Sequence, residues 1–208
     1  MKFDADFSMT INGQAVTSDD TLPVYNPASR SVFAEVPDAS KAQLDEAVST
    51  ARQAFKGWSN TPMEVRQAAL ERYADLIEAN AEEIMALLTR EQGKPRAGAE
   101  WEVFGSADWL RATASLRLPQ ETVDETDERR VVTRFTPVGV VGAIVPWNFP
   151  ILLAIWKIAP ALMSGCTIIV KPSPYTPLCD LKIVELAQQV LPPGVLSAVS
   201  GGDGLGKW

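Results

Sequence analysis

Histidine is absent from the 208 residues, and cysteine occurs only twice, as Cys166 and Cys179. Without an imidazole no Ser-His-Asp or Cys-His relay can be assembled, and two isolated thiols make neither a zinc site nor a disulfide scaffold. No metal site is expected. Positive charge is also scarce: 26 acidic side chains outnumber 19 basic ones, for a formal net charge of -7. That balance argues against nucleic acid or an anionic membrane as partner, because either requires a basic face. No glycine triplet has the G-x-G-x-x-G spacing of a conventional dinucleotide fold; Gly202-Asp203-Gly204-Leu205-Gly206 comes nearest and fits poorly.

The N-terminal MKFDADFSMT has no basic stretch followed by an apolar one, so no secretory leader is expected and the cytoplasm is the default location. Residues 135–156 form an uncharged run, long enough to raise the question of a membrane helix. Pro137, Gly139, Gly142, Pro146, Asn148 and Pro150 would break a membrane helix there repeatedly.

What the chain does have is patterning. Asn12-Gly13 is a hairpin signal between SMTI and QAV, giving a small N-terminal β arm, and Tyr25-Asn26-Pro27 reads as a turn. From Ser40, the residues Leu44, Ala47, Val48, Ala51 and Phe55 share a helix face, with Ser40 and Gln43 as capping box and Gly57 as the expected end. Thr61, Pro62 and Glu64 supply N-cap, N1 proline and N3 acid. The stripe of Val65, Ala69, Leu76, Ile77, Ile84, Leu87 and Leu88 that follows stops near Gly93-Lys94-Pro95. A further helix over 97–116 presents Trp101, Phe104, Asp108 and Arg111 on related faces, and its aromatics are expected in the core. Two strands around an acidic turn at 124–128 follow.

Strand, helix, strand, helix, strand then alternate at 138–145, 151–164, 167–170, 177–190 and 195–199, the pattern of a parallel α/β sheet. Right-handed crossovers bring the ends of the first two strands to one edge, where open sheets bind ligands. The first of these ends leads into Asn148, an amide between Pro146 and Pro150 in otherwise apolar sequence, and the second into Lys171-Pro172. The amide is either a donor to a ligand or the cap of the helix starting near Pro150. The lysine either grips a ligand or is a solvated charge. Cys166 enters an apolar strand, where a thiol is desolvated and inert; Cys179 follows a helix start that should lower its pKa slightly.

The segments Pro146-Trp147-Asn148-Phe149-Pro150 and Lys171-Pro172-Ser173 resemble those of the aldehyde dehydrogenase superfamily. The resemblance runs from about Thr21 onward and corresponds to the front part of a typical member. It implies an α/β fold: a β arm and helices over 1–120, an oligomerisation hairpin over 121–136, and the βαβαβ part of a Rossmann-like NAD(P)-binding domain over 137–208, without the catalytic domain. The implied reaction oxidises a small aldehyde to a carboxylic acid with NAD or NADP through a cysteine thiohemiacetal, in a homo-oligomer when complete.

By the same resemblance, Asn148 donates to the aldehyde oxygen and Lys157 supports the catalytic end, the alternative for Lys157 being a snorkelling surface lysine. Ile144, Val145, Pro146, Trp147, Lys171, Ser173, Pro174 and Gly204 would hold the dinucleotide. Phe149, Leu153 and Trp156 would line a tunnel suited to hydrophobic or aromatic aldehydes, with ordinary core packing as the alternative. Many NAD-preferring relatives carry a glutamate where this chain has Pro174, which leaves NADP open. The family's nucleophilic cysteine and its Glu-Leu-Gly-Gly segment have no counterpart in these residues, so the chain alone is expected to be inactive. A short non-catalytic binding or assembly module and an unrelated α/β protein with a chance motif are the other readings.

Overall fold

The computed structural model describes residues 2–207. Strands β1 (Met9–Ile11) and β2 (Gln14–Val16) meet at Asn12 and Gly13, both at positive φ (50° and 75°), as a two-residue hairpin turn requires. Strands β3 (Thr21–Asn26) and β4 (Ser31–Pro37) form a second hairpin, where Asn26 Oδ1 accepts from the amide of Ala28 at 2.9 Å. Helix α1 (Lys41–Trp58) opens on the expected capping box: Gln43 N–H donates to Ser40 Oγ at 3.2 Å, and Ser40 N–H to Gln43 Oε1 at 3.0 Å.

The next helical stretch differs from its sequence pattern in two ways. Pro62, not Thr61, is the N-cap, and the Thr61 hydroxyl instead donates back to Gly57 O. The stripe is also two helices, α2 (Met63–Ala79) and α3 (Ala81–Gln92), broken at Asn80, and Val65 faces solvent. Helix α4 (Arg96–Ser115) follows Gly93, which ends α3 in the left-handed region. The aromatics of α4 are not core: Trp101, Phe104 and Trp109 are exposed.

Strands β5 (Glu121–Glu125) and β6 (Arg130–Thr133) pair only with each other among the described residues. Then come β7 (Val140–Ile144), α5 (Pro150–Met163), β8 (Thr167–Lys171), α6 (Leu178–Ala187), β9 (Leu196–Ala198) and a 3-10 turn at Leu205–Lys207. The sheet order is β2-β1-β9-β8-β7, parallel from β9 to β7, with β1 antiparallel to β9 at Thr10 and Ala198. The N-terminal hairpin therefore extends the central sheet.

Helix α1 covers one sheet face, packing Ala47 and Ala51 on Ile169 and Val199. Helices α5 and α6 cover the other, with α2 to α4 outside them in one continuous core. Long side chains lock the layers through backbone acceptors. The Trp58 indole donates to Leu162 O, Arg66 Nε to Met163 O, and the Tyr73 hydroxyl to Ile183 O, each within 3.1 Å. Each satisfies a buried polar group that would otherwise cost stability. Among the described residues no helix is long and apolar enough to cross a membrane.

Candidate functional site

Parallel pairing of β7 with β8 places Ile144 opposite Lys171, and Val145 N–H donates to Lys171 O at 3.2 Å. The two motif segments thus leave the sheet at the same edge. The Thr176 hydroxyl ties them together by donating to Trp147 O at 3.4 Å.

Three hollows open along this edge. The first, about 830 Å³, is lined by Ile144, Lys171, Leu205 and Gly206 against Leu44 and Val48 of α1. The second, about 750 Å³, is lined by Trp147, Pro174, Tyr175, Thr176, Gly202 and Asp203 against the β3–β4 hairpin. The third, about 390 Å³, holds Asn148 and Phe149 with Gln92, Lys94 and Trp101. Asn148 and Lys171 therefore share an edge but line different hollows. Of the other dinucleotide candidates, Pro146 is half-buried, Gly204 is exposed with open space around it, and Val145 turns its side chain into the core. Ser173 is buried, and its hydroxyl accepts from Tyr175 N–H.

Asn148 is exposed, and no hydrogen bond among the described residues engages its carboxamide. It does not cap α5, whose N-cap is Phe149 without a side-chain bond. The cap is a residue the sequence patterning passed over. Glu102, fully buried on α4, accepts with Oε1 from the amides of Ile151 at 2.9 Å and Leu152 at 3.2 Å. Its other oxygen pairs with Lys94, whose ammonium also donates to Asn148 O at 3.1 Å and sits 4.2 Å from the Phe149 ring centroid.

The second segment is held by the same device. Glu91, buried at the end of α3, accepts from the amides of Leu178 at 2.8 Å and Cys179 at 2.9 Å, closing α6. Burial pushes the Glu91 carboxyl up to about 7 against the pull of those donors, and burial likewise raises Glu102 against Lys94. Both acids were visible as glutamates on the apolar face of a helix: Glu91 follows Ile84 and Leu88, and Glu102 lies between Ala99 and Val103.

Lys171 is half-buried. Desolvation lowers its pKa, opposed by the carboxylates of Asp203 and Asp38, two neighbours that sequence spacing did not suggest. Asp38 Oδ1 also accepts from Gly202 N–H at 3.2 Å, anchoring the loop that carries Asp203. Cys166 is buried as expected. Cys179 contradicts expectation: burial first, then Glu91, pushes its thiol well up, because the helix start that would favour a thiolate lies among buried acids.

Phe149, Leu153 and Trp156 fall on one face of α5, with Phe149 and Trp156 exposed and Leu153 half-buried, so they do not pack as ordinary core. Trp101 meets Phe149 edge-on at 5.9 Å between centroids, and Trp109 lies 4.9 Å from Trp156. The face is thus an aromatic wall shared by α4 and α5 beside Asn148. Lys157, half-buried, donates to Leu153 O at 3.3 Å, and its charge acts on buried Asp180. Among the described residues no cluster of His, Cys, Asp and Glu is arranged to hold a metal ion.

Known proteins resemble this chain in sequence and fold. The family model described as "Aldehyde dehydrogenase family" matches residues 15–207. A putative aldehyde dehydrogenase of Gibberella fujikuroi is 42% identical over 206 residues, covering 99% of this chain and 44% of the relative. A phenylacetaldehyde dehydrogenase of Pseudomonas fluorescens is 42% identical over 207 residues, covering 93% of this chain and 41% of that protein. A solved NAD+ complex of an aldehyde dehydrogenase from Bacillus cereus, 34% identical, superposes with a TM-score of 0.91 over 96% of this chain and 42% of that one. The chain spans less than half the length of these relatives.

Proposed function

Because the chain belongs to the aldehyde dehydrogenase family, we propose that it supplies the dinucleotide site and the oxyanion donor of an aldehyde-oxidising enzyme, with Asn148 as that donor. The observation that carries this reading is the free Asn148 carboxamide. It stands exposed beside the aromatic wall while its own backbone carbonyl is held by Lys94. A donor fixed before reaction costs no reorganisation when charge develops on the aldehyde oxygen, and is worth about 3 kcal/mol on the scale of other oxyanion-hole donors.

The residues at the sheet edge fit a nicotinamide dinucleotide. Lys171 offers a half-buried ammonium at an apolar-floored cleft, and the acids Asp38 and Asp203 beside it suit a ribose diol better than a 2′-phosphate, which favours NAD over NADP. Ile144 and Trp147 supply exposed apolar surface on either side. When bound there, the dinucleotide would supply the hydride acceptor. Phe149, Leu153 and Trp156 form the wall along which a hydrophobic or aromatic aldehyde approaches Asn148.

Neither cysteine of the chain is placed to add to that aldehyde, both being buried. The reading therefore requires a thiolate from outside residues 1–208, and these residues alone are inactive in it. The β5–β6 hairpin, with Val123 and Val131 exposed, is the proposed contact between copies. The test is Asn148→Ala at full family length. kcat should fall by about a hundredfold with NAD affinity intact, whereas an unchanged kcat removes Asn148 from the chemistry.

A further inference from the structure

We propose that the buried Lys94–Glu102 pair is a positioning device for the oxyanion amide: it holds the peptide that follows Asn148 and the first turn of α5 so that the carboxamide points in one direction. This rests on the reading of Asn148 given above. The geometry supports it at two successive points after the Asn148 side chain. At the first, Lys94 Nζ donates to Asn148 O at 3.1 Å, with Gln92 Nε2 behind it at 3.5 Å. At the second, Glu102 Oε1 takes the amides of Ile151 and Leu152, which fixes the first turn of α5. The two anchors are joined to each other as an ion pair, and both side chains are shielded, Lys94 at 9% exposure and Glu102 at 0%. The Phe149 ring lies against the ammonium, its centroid 4.2 Å from Nζ.

A surface lysine capping a carbonyl would be mobile and dispensable. Here the ammonium is not mobile. It lies between a buried carboxylate, the ring of Phe149 and the carbonyl of the residue whose side chain does the work, so it cannot move without breaking two of those contacts. A loop without such a clamp would let the Asn148 peptide plane rotate, and the carboxamide would sample directions away from the reacting oxygen. Misplacement of about 1 Å costs up to about a hundredfold in rate.

The experiment uses the aldehyde-oxidising polypeptide at full family length. Lys94→Met leaves Glu102 buried and unpaired and can fail to fold, so Lys94→Met with Glu102→Gln is made beside it. The double variant removes both charges while keeping an acceptor for the α5 amides. The double variant is expected to lose kcat by about ten- to a hundredfold with KM and NAD affinity unchanged. Combined with Asn148→Ala it should lose nothing beyond Asn148→Ala alone, because the pair acts through that amide. A general structural role would instead multiply with Asn148→Ala or raise KM, and either result overturns the proposal. So does an unchanged kcat in the double variant when Asn148→Ala is impaired. If Asn148→Ala itself keeps full rate, the role assigned to Asn148 falls first and takes the positioning role with it.

Discussion

Glu91 ties the pH dependence of stability to a named helix start. In the fold its carboxyl titrates near 7, against an ordinary value of 4.5, because burial outweighs the donors from Leu178 and Cys179. The titratable groups around it are Cys179, Asp180 and Glu102, so no cation compensates it directly. Below pH 4.5 the group is protonated in both states and its contribution is fully present. Between 4.5 and 7 the unfolded chain releases the proton while the folded one retains it, so stability falls as pH rises and is lost by the time pH passes 7. The interval corresponds to about 3 kcal/mol. Glu91→Gln keeps one acceptor for α6 and removes the ionisation. At the acid end of the titration the variant should be less stable, by up to about 1 kcal/mol for the lost acceptor, and by pH 8 it should exceed the parent. Urea unfolding of both proteins from pH 4.5 to 8 reads the difference. Curves that stay parallel across that range would refute the coupling of Glu91 to folding.

Two further substitutions test neighbouring parts of the site. Asp203→Ser should shift the ratio of NADP to NAD affinity about tenfold toward NADP, since it removes a carboxylate beside Lys171; an unaltered ratio in fluorescence titrations removes Asp203 from cofactor choice. Gly93→Ala meets both a φ of +85° and Pro27 Cγ 2.7 Å from the new methyl, and should cost about 1 to 3 kcal/mol in thermal unfolding; an unchanged Tm would show that the turn before Lys94 yields easily.

Features set by neighbours in sequence were legible from the chain. The Ser40–Gln43 box, the Asn12-Gly13 turn and the β7-α5-β8-α6-β9 alternation each depend on residues a few positions apart, and each formed. The break at Asn80 was not legible, because the apolar stripe continues across it with no glycine or proline to mark the end of α2. Among site residues, the shared edge for Asn148 and Lys171 followed from strand order, whereas their separate hollows depend on how α4 and α1 pack. Glu91, Glu102, Asp38 and Asp203 escaped notice because their partners lie far along the chain. The Cys179 reading failed for a related reason: the helix start is local, but the burial that chiefly overrules it, and the Glu91 carboxyl that adds to it, come from packing against distant elements.

The antiparallel join of β1 to β9 sets an order of assembly. During vectorial synthesis the first strand emerges early and its ladder partner only after nearly all of these residues have been made, so the hairpin must wait, or pair with something else, until β9 arrives. Long-range closure of this kind slows folding. It also seals the flank of β9 that would otherwise remain an open template for a foreign strand.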